Sequence, residues 1–244
     1  MPNKEIATAM ILCAGLGTRL KPWTDKHPKA LAPVNDKSLL ERNTKWLQSF
    51  GIDHIVVNVH HFADQIIEAI QNNRGWGSHF IVSDESDEVL ETGGGLLKAA
   101  PLLKNKQHFV LMNVDILTNF HLDLMMDQHI ATNAMATLAI TNRATSRYLL
   151  FDDQQSLCGW MNTKTSEEKI IVPHDTLNRK AFSGVHIINS AIFNEIKFQG
   201  KFSMIDLYLD LCKNHLISGF DHSNDLFIDV GKPESVEQAE RMFE

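Results

Sequence analysis

The residues of this chain whose types and spacing first suggest chemistry are two glycines and two cations. They lie in Leu12-Cys13-Ala14-Gly15-Leu16-Gly17-Thr18-Arg19-Leu20-Lys21-Pro22 and in Pro28-Lys29-Ala30-Leu31-Ala32-Pro33-Val34, directly after the apolar run 7–12. Gly15 and Gly17 let main-chain N–H groups approach an anion and adopt positive φ. Arg19 can fork two phosphate oxygens, and Lys29 adds a compact point charge. The spacing matches neither common nucleotide loop. Leu20 stands where G-x-G-x-x-G needs its third glycine, and G-x-x-x-x-G-K-[ST] does not occur. A phosphate cradle and a glycine turn with two solvated cations are both compatible with the local residues.

Two aspartates follow strand-like runs. Asp115 ends 109–112 through Asn113-Val114, and Asp229 ends 226–228 ahead of Val230-Gly231. Carboxylates there suit Mg²⁺, which also takes phosphate oxygens and water. Each alone would serve equally as a helix N-cap or turn residue. Gly93-Gly94-Gly95, with Thr92 expected as an N-cap, reads either as a flexible turn or as a flat surface for a base or ribose, its N–H groups aimed at ligand oxygens. The histidines show no H-E-x-x-H spacing, so no zinc site is expected. Cys13 is read as a packing residue, and Glu167-Glu168-Lys169 as a solvated loop face.

These residues need elements to position them. Strands are expected at 7–12, 55–59, 80–82 and 109–112, alternating with helices at 39–50, from 64, and at 96–103. Such alternation predicts an α/β, Rossmann-like doubly wound sheet, mixed but mainly parallel. Past residue 134 the pattern shifts to strands at 134–140, 148–151, 157–161 and 181–188. Helices return at 190–196, 204–215 and 234–243, with a last strand at 226–228. Residues 162–178 form the most polar stretch and are expected to be a loop. A single domain over 1–244 is expected, in two halves, 1–120 and 121–244.

The chain has 244 residues, 43% apolar and 22% charged, and a net charge of −7. That balance speaks against non-specific nucleic-acid binding, which needs a basic footprint. Three separated cysteines suggest neither a disulfide framework nor a thiolate zinc site. No apolar run approaches the ~20 residues that span a bilayer, and the N-terminus shows no signal-peptide core. The expectation is a cytoplasmic protein with no membrane partner.

The pattern Gly15-Leu16-Gly17-Thr18-Arg19-Leu20-x-Pro22-x-Thr24-x₃-Pro28-Lys29-x-Leu31-x-Pro33-Val34 resembles the signature of sugar-phosphate nucleotidyltransferases. The likeness continues through Glu91-Thr92-Gly93-Gly94-Gly95, Asn113-Val114-Asp115, Phe182-Ser183-Gly184-Val185 and Asp229-Val230-Gly231. Within that family the chain most resembles N-acetylmuramate 1-phosphate uridylyltransferases, with mannose and heptose 1-phosphate guanylyltransferases near by motif. The resemblance implies transfer of a nucleoside monophosphate from an NTP to a sugar 1-phosphate with Mg²⁺, and a nucleotidyltransferase fold without the C-terminal β-helix of larger members. It implies catalytic roles for Arg19, Lys29 and Asp115, and a metal held by Asp115 and Asp229. It assigns the nucleotide to Ala14, Gly15, Gly17, Thr18, Ser83, Gly93 and Gly94, and the sugar to Asn113 and Gly184, and so implies a nucleotide-binding half (1–120) and a sugar-phosphate-binding half (121–244). Val114 departs from the small residue usual there. The lysine that many relatives place on the sugar phosphate is left open among Lys164, Lys169 and Lys180.

The implied reaction needs no strong general base, because the attacking phosphate oxygen is already an anion. Positioning and charge neutralisation can supply most of the acceleration. Two competing readings are a non-catalytic nucleotide-sugar sensor and an NAD-dependent oxidoreductase, the latter weakened by Leu20.

Overall fold

The protein is described by a computed structural model covering residues 6–243. In chain order the strands are β1 (Thr8–Leu12), β2 (Pro33–Val34), β3 (Lys37–Ser38), β4 (His54–Val59), β5 (His79–Asp84), β6 (His108–Asn113) and β7 (Ile116–Thr118). They continue as β8 (Ala136–Thr141), β9 (Arg147–Phe151), β10 (Leu157–Asn162), β11 (Glu167–Ile170), β12 (Asn178–Asn189), β13 (Ile217–Asp221) and β14 (Phe227–Asp229). The helices are α1 (Leu39–Ser49), α2 (Ala63–Asn72), α3 (Glu91–Lys98), α4 (Ala100–Leu103), α5 (Leu122–Thr132), α6 (Ile192–Glu195), α7 (Met204–Leu211) and α8 (Pro233–Met242).

The central sheet runs β11-β10-β9-β12-β6-β1-β4-β5, with β8 on β12 and β13 on β8. β6, β1, β4 and β5 are mutually parallel, and β12 joins β6 antiparallel. The pattern is the expected mixed α/β architecture, and the fold ends in α8 with no β-helix among the described residues.

Alternation along buried strands divides the apolar residues between two cores. Ala9, Ile11, Ile55, Val57, Val110 and Met112 face one, which α1, α2, α5 and α8 cover. Met10, Leu12, Val56, Phe109 and Leu111 face the other, beneath α3, α4, α6 and α7. Ser38 caps α1 by accepting from the Glu41 N–H at 3.1 Å, and Ser203 caps α7 through the Asp206 N–H at the same distance. Helix and sheet cores together hold the C-terminal ends of β1, β4 and β6 at one edge. There the chain turns out into the loops that carry the polar residues.

Three details differ from expectation. The polar stretch 162–178 contains β11, which pairs antiparallel with β10 although all four residues are exposed. Main-chain pairing forms that strand, and burial does not. Helix α5 and strands β2, β3, β7 and β13 are additional. The triplet Gly93-Gly94-Gly95 lies inside α3, so Thr92 is a helical residue and not an N-cap. Its Oγ1 accepts a hydrogen bond from the Met204 N–H at 2.9 Å.

Candidate active site

The loop after β1 forms one wall of a cleft of about 280 Å³, lined by Gly15, Gly17, Thr18, Arg19, Lys29, Asn113, Asp115 and Gly231 among others. Gly17 is left-handed (φ 62°), and a Cβ there would lie 2.8 Å from Thr24 Cγ2 and 3.0 Å from Lys29 Cβ. The Thr24 hydroxyl donates to the Gly17 carbonyl at 2.9 Å, fixing the loop from behind. Close packing and positive φ together require glycine at 17. Gly15 meets no such crowding and stands open to the cleft.

The opposite wall comes from the β6–β7 turn and the end of β14. The Lys29 ammonium is buried and ion-pairs with the Asp115 carboxylate. Arg19 lies 3.9 Å from Asp229. The Val230 N–H donates to the Asp115 carbonyl at 2.8 Å, and β14 pairs with β7 so that Asp229 stands opposite Ile116. Two carboxylates far apart in sequence are thereby brought together. Burial pushes the Asp229 carboxyl above its ordinary range, and the Asp115 charge pushes it further, against the pull of Lys29, Arg19 and Arg143. Asp229 Oδ1 is buried and takes no hydrogen bond from the described residues.

That orphaned oxygen is the test of a cation site. A buried carboxylate oxygen without a partner is costly, and a hard cation shared with Asp115 would satisfy it. Among the described residues no group of three or more His, Cys, Asp or Glu is placed to hold a metal. A two-carboxylate donor set leaves most positions to phosphate oxygens and water, as Mg²⁺ prefers. The residues fit the ion.

Asn113 and Gly184 meet at the far side of the cleft. Gly184 has φ 75°, and a Cβ would fall 2.9 Å from Asn113 Nδ2 and 2.8 Å from Ile116 Cγ1, so only glycine fits. Val114 is accommodated by burial in the core below, its carbonyl held by Asn43 Nδ2 at 2.8 Å. Cys13 is no nucleophile: burial, with the Asp115 charge second, holds its thiol protonated far above neutral pH.

A profile of the nucleotidyl transferase family matches residues 8–243. The chain belongs to that family. It is 32% identical over 241 residues to the N-acetylmuramate alpha-1-phosphate uridylyltransferase of Caulobacter vibrioides, covering 95% of both chains. It is 30% identical over 226 residues to the D-glycero-alpha-D-manno-heptose 1-phosphate guanylyltransferase of Campylobacter jejuni, covering 93% of this chain and 95% of that one. In fold it is similar to the structure of HddC from Yersinia pseudotuberculosis complexed with GMP-PN. That match has a TM-score of 0.77 and 21% identity, over 98% of this chain and 100% of the other. The protein is thus a nucleotidyltransferase, an enzyme of the class the cleft chemistry implies.

For a nucleotidyltransferase, the glycine triplet of this chain has a different job from the one expected. The Gly93 and Gly94 N–H groups both donate to the Phe202 carbonyl, at 2.9 and 3.2 Å, so they are not aimed at ligand oxygens. Added Cβ atoms would lie 2.4 Å from the Phe202 ring and 2.3 Å from the Gly200 carbonyl oxygen. The triplet lets α3 pack tightly on the segment before α7. Ser83 is buried, in register with Asn58 across β5 and β4. The recess that continues the cleft past Ala14 and Gly15 is instead walled by Asn58, Glu85, Val89, Glu91 and Thr92. Asn58 and Glu85 were not expected as site residues. Their signal was a polar residue within the apolar run 55–59 and an acid just past the next strand.

Of the lysines left open, Lys180 is held by Asp221 at 2.6 Å and Asn142 at 2.7 Å, while Lys169 lies over Trp160 and pairs with Glu167 at 3.4 Å. The second-half cation coupled to Asp229 is Arg143. Its guanidinium stacks 5.0 Å from the Phe227 ring centroid and donates to the Phe182 carbonyl at 2.9 Å.

Proposed function

We propose that the enzyme transfers UMP from UTP to N-acetylmuramate 1-phosphate, giving the nucleotide sugar and pyrophosphate, with Mg²⁺ as cofactor. The observation that carries the reading is the meeting, under the loop of Gly15 and Gly17, of Arg19, Lys29 and two carboxylates. The similarity to the Caulobacter uridylyltransferase supports the choice of base and sugar.

Ala14, Gly15, Gly17 and Thr18 cradle the triphosphate, and Arg19 steadies the departing pyrophosphate. Lys29 holds the α-phosphate. Asp115 and Asp229 hold Mg²⁺, which supplies charge neutralisation at the phosphates. A phosphate oxygen of the sugar 1-phosphate forms a bond to the α-phosphorus in line, and the bond to the bridging oxygen of pyrophosphate breaks. No protein group needs to remove a proton. Asn113 and Gly184 face the sugar, and Arg143, with donors left over after its bond to Phe182, reaches its phosphate. Residues 1–120 serve the nucleotide and 121–244 the sugar phosphate within one domain. No helix among the described residues is long and apolar enough to cross a membrane, and three free cysteines suit a reducing cytoplasm.

Pyrophosphate release from four NTPs against several sugar 1-phosphates, with Mg²⁺, tests this. UTP with N-acetylmuramate 1-phosphate is expected to give the highest kcat/KM. A win for GTP with mannose or heptose 1-phosphate overturns the uridylyl assignment. No pyrophosphate from any pairing leaves only a nucleotide-sugar sensor.

A further inference from the structure

Two residues of β12 lie where the ladders of the strand break off. Phe182 stands opposite Ile140 of β8 and His186 opposite Leu138, so a four-residue step on β12 answers a two-residue step on β8. Pairing with β6 begins only at Val185, opposite Met112. Ser183 and Gly184 are therefore paired in register with neither neighbour, and Gly184 is the residue set against Asn113 at the far side of the cleft. Main chain released from its ladder needs side chains to hold it. Two contacts do so here. Arg143 donates to the Phe182 carbonyl at 2.9 Å, and Ser183 Oγ lies 2.8 Å from His222 Nε2.

The second contact is the more deeply placed: Ser183 is 1% exposed and His222 2%. His222 follows β13 directly, and its own N–H continues the sheet by donating to the Ile140 carbonyl at 3.0 Å. Its ring packs against Phe120, with centroids 4.7 Å apart, and against Phe227 at 5.9 Å. Phe227 opens β14, the strand that ends in Asp229. One imidazole thus touches the turn at Gly184 through Ser183, and the strand of a cleft carboxylate through Phe227. Burial holds the ring at about 4, so it is uncharged at neutral pH and keeps both contacts without a counter-ion.

We propose that His222 positions the sugar side of the cleft, its hydrogen bond to Ser183 holding the Gly184 main chain at a fixed distance from Asp229. The inference rests on the reading of Gly184 as a sugar contact and adds to it the residue that keeps that contact in place. His222 and Ser183 are too deeply buried to touch substrate, so both are positioning residues. Their loss should be felt by the sugar phosphate alone, because the nucleotide side of the cleft is built on β1 and the loop after it.

Separate KM values for the NTP and the sugar 1-phosphate test this, measured by pyrophosphate release from the full chain with Mg²⁺ and the pairing of highest kcat/KM. Ser183→Ala removes a single oxygen and is expected to raise KM for the sugar 1-phosphate ~10-fold, the worth of one hydrogen bond, with KM for the NTP unchanged. His222→Phe should give the same split, and His222→Gln, whose amide reaches the Nε2 position, should restore most of the loss. Replacing both residues should raise KM no further than replacing one, since a shared contact is lost only once. The proposal is overturned if Ser183→Ala leaves KM for the sugar phosphate in place, if both KM values rise alike, or if the double variant adds the two single losses. Should His222→Phe fail to fold, Ser183→Ala decides alone. If the parent releases no pyrophosphate from any pairing, the transfer reading falls, and calorimetric binding of the same sugar 1-phosphates to the parent and to Ser183→Ala decides the positioning. A Kd weakened ~10-fold in the variant keeps it, and an unchanged Kd ends it. No binding by the parent overturns both.

Discussion

Asp229 is the residue where function and stability pull hardest against each other. Its folded-state pKa is raised by burial and by Asp115. A raised acid contributes stability below its unfolded pKa and loses it as pH climbs through the folded value. At neutral pH the ionised group therefore opposes folding. Asp229→Asn should lower kcat by at least ~10²-fold while melting no lower than the parent at pH 7, read by steady-state kinetics and scanning calorimetry. Asp115→Asn should lose a similar factor in kcat, yet melt lower, because Lys29 would keep a buried charge without its partner. Near-normal rates in both variants would remove the metal assignment. Arg143→Ala is expected to raise KM for the sugar phosphate roughly tenfold with KM for NTP unchanged, the loss of one charge-assisted contact. Lys180→Met, which breaks only the pairing with Asp221 and Asn142, should leave both constants in place. Both acids of the cleft were legible in the sequence because each stands at the end of a strand, where ligands gather in open α/β sheets, and both cations because they lie in or just beyond the glycine loop that follows β1. Asn58, Glu85 and Arg143 were not. They come from three separate strand ends, and only the strand order brings Asn58 and Glu85 to the recess beside the cleft and Arg143 within electrostatic reach of Asp229.

Among the elements, α3 shows how composition can mislead. Three consecutive glycines disfavour a helix, at roughly 1 kcal/mol each relative to alanine. The helix forms nonetheless, because the absent side chains admit the Phe202 ring and the Gly200 carbonyl and let two N–H groups share the Phe202 carbonyl. Gly94→Ala should destabilise the protein by about 1–3 kcal/mol through overpacking against main chain, despite the gain in helix propensity, measured by urea unfolding. A stabilised variant would show that this contact is soft. The parallel strands β1, β4 and β6 were legible as apolar runs, since burial on both faces leaves little else in them. β11 was not, because hydrogen bonding to β10 alone makes it a strand. α5 also escaped notice: Leu122, Met125 and Met126 face the core, but Leu124 is 55% exposed and blurs the stripe.

Across the whole molecule, buried histidines set the acid limit. Burial holds His186 and His129 at about 3, and His222 at about 4. A depressed histidine contributes stability that is present above its unfolded pKa, near 6.5, and is lost as pH falls toward the folded value. Stability should therefore decline between pH ~6.5 and ~3, by about 1.4 kcal/mol per pH unit for each histidine that must charge. Replacing His186 and its 2.6 Å partner Tyr208 together by phenylalanine should shallow that slope, read from urea midpoints against pH. An unchanged slope would mean that the carboxylates set the limit.

β12 belongs to two neighbourhoods at once. Its first residues pair with β9 at the outer hairpins, and its last pair with β6 beneath the cleft. Its register against β8 slips between Phe182 and His186, the interval that holds Gly184. The strand thus joins the outer hairpins to the main chain beside Asn113. A disturbance far out, such as a side chain at Gly159, where a Cβ would press 2.4 Å from the Lys169 carbonyl, has a stiff path inward to the sugar side. Distant changes in the β9–β11 hairpins should therefore surface as altered hydrogen exchange at the tip of β6 before they surface as unfolding.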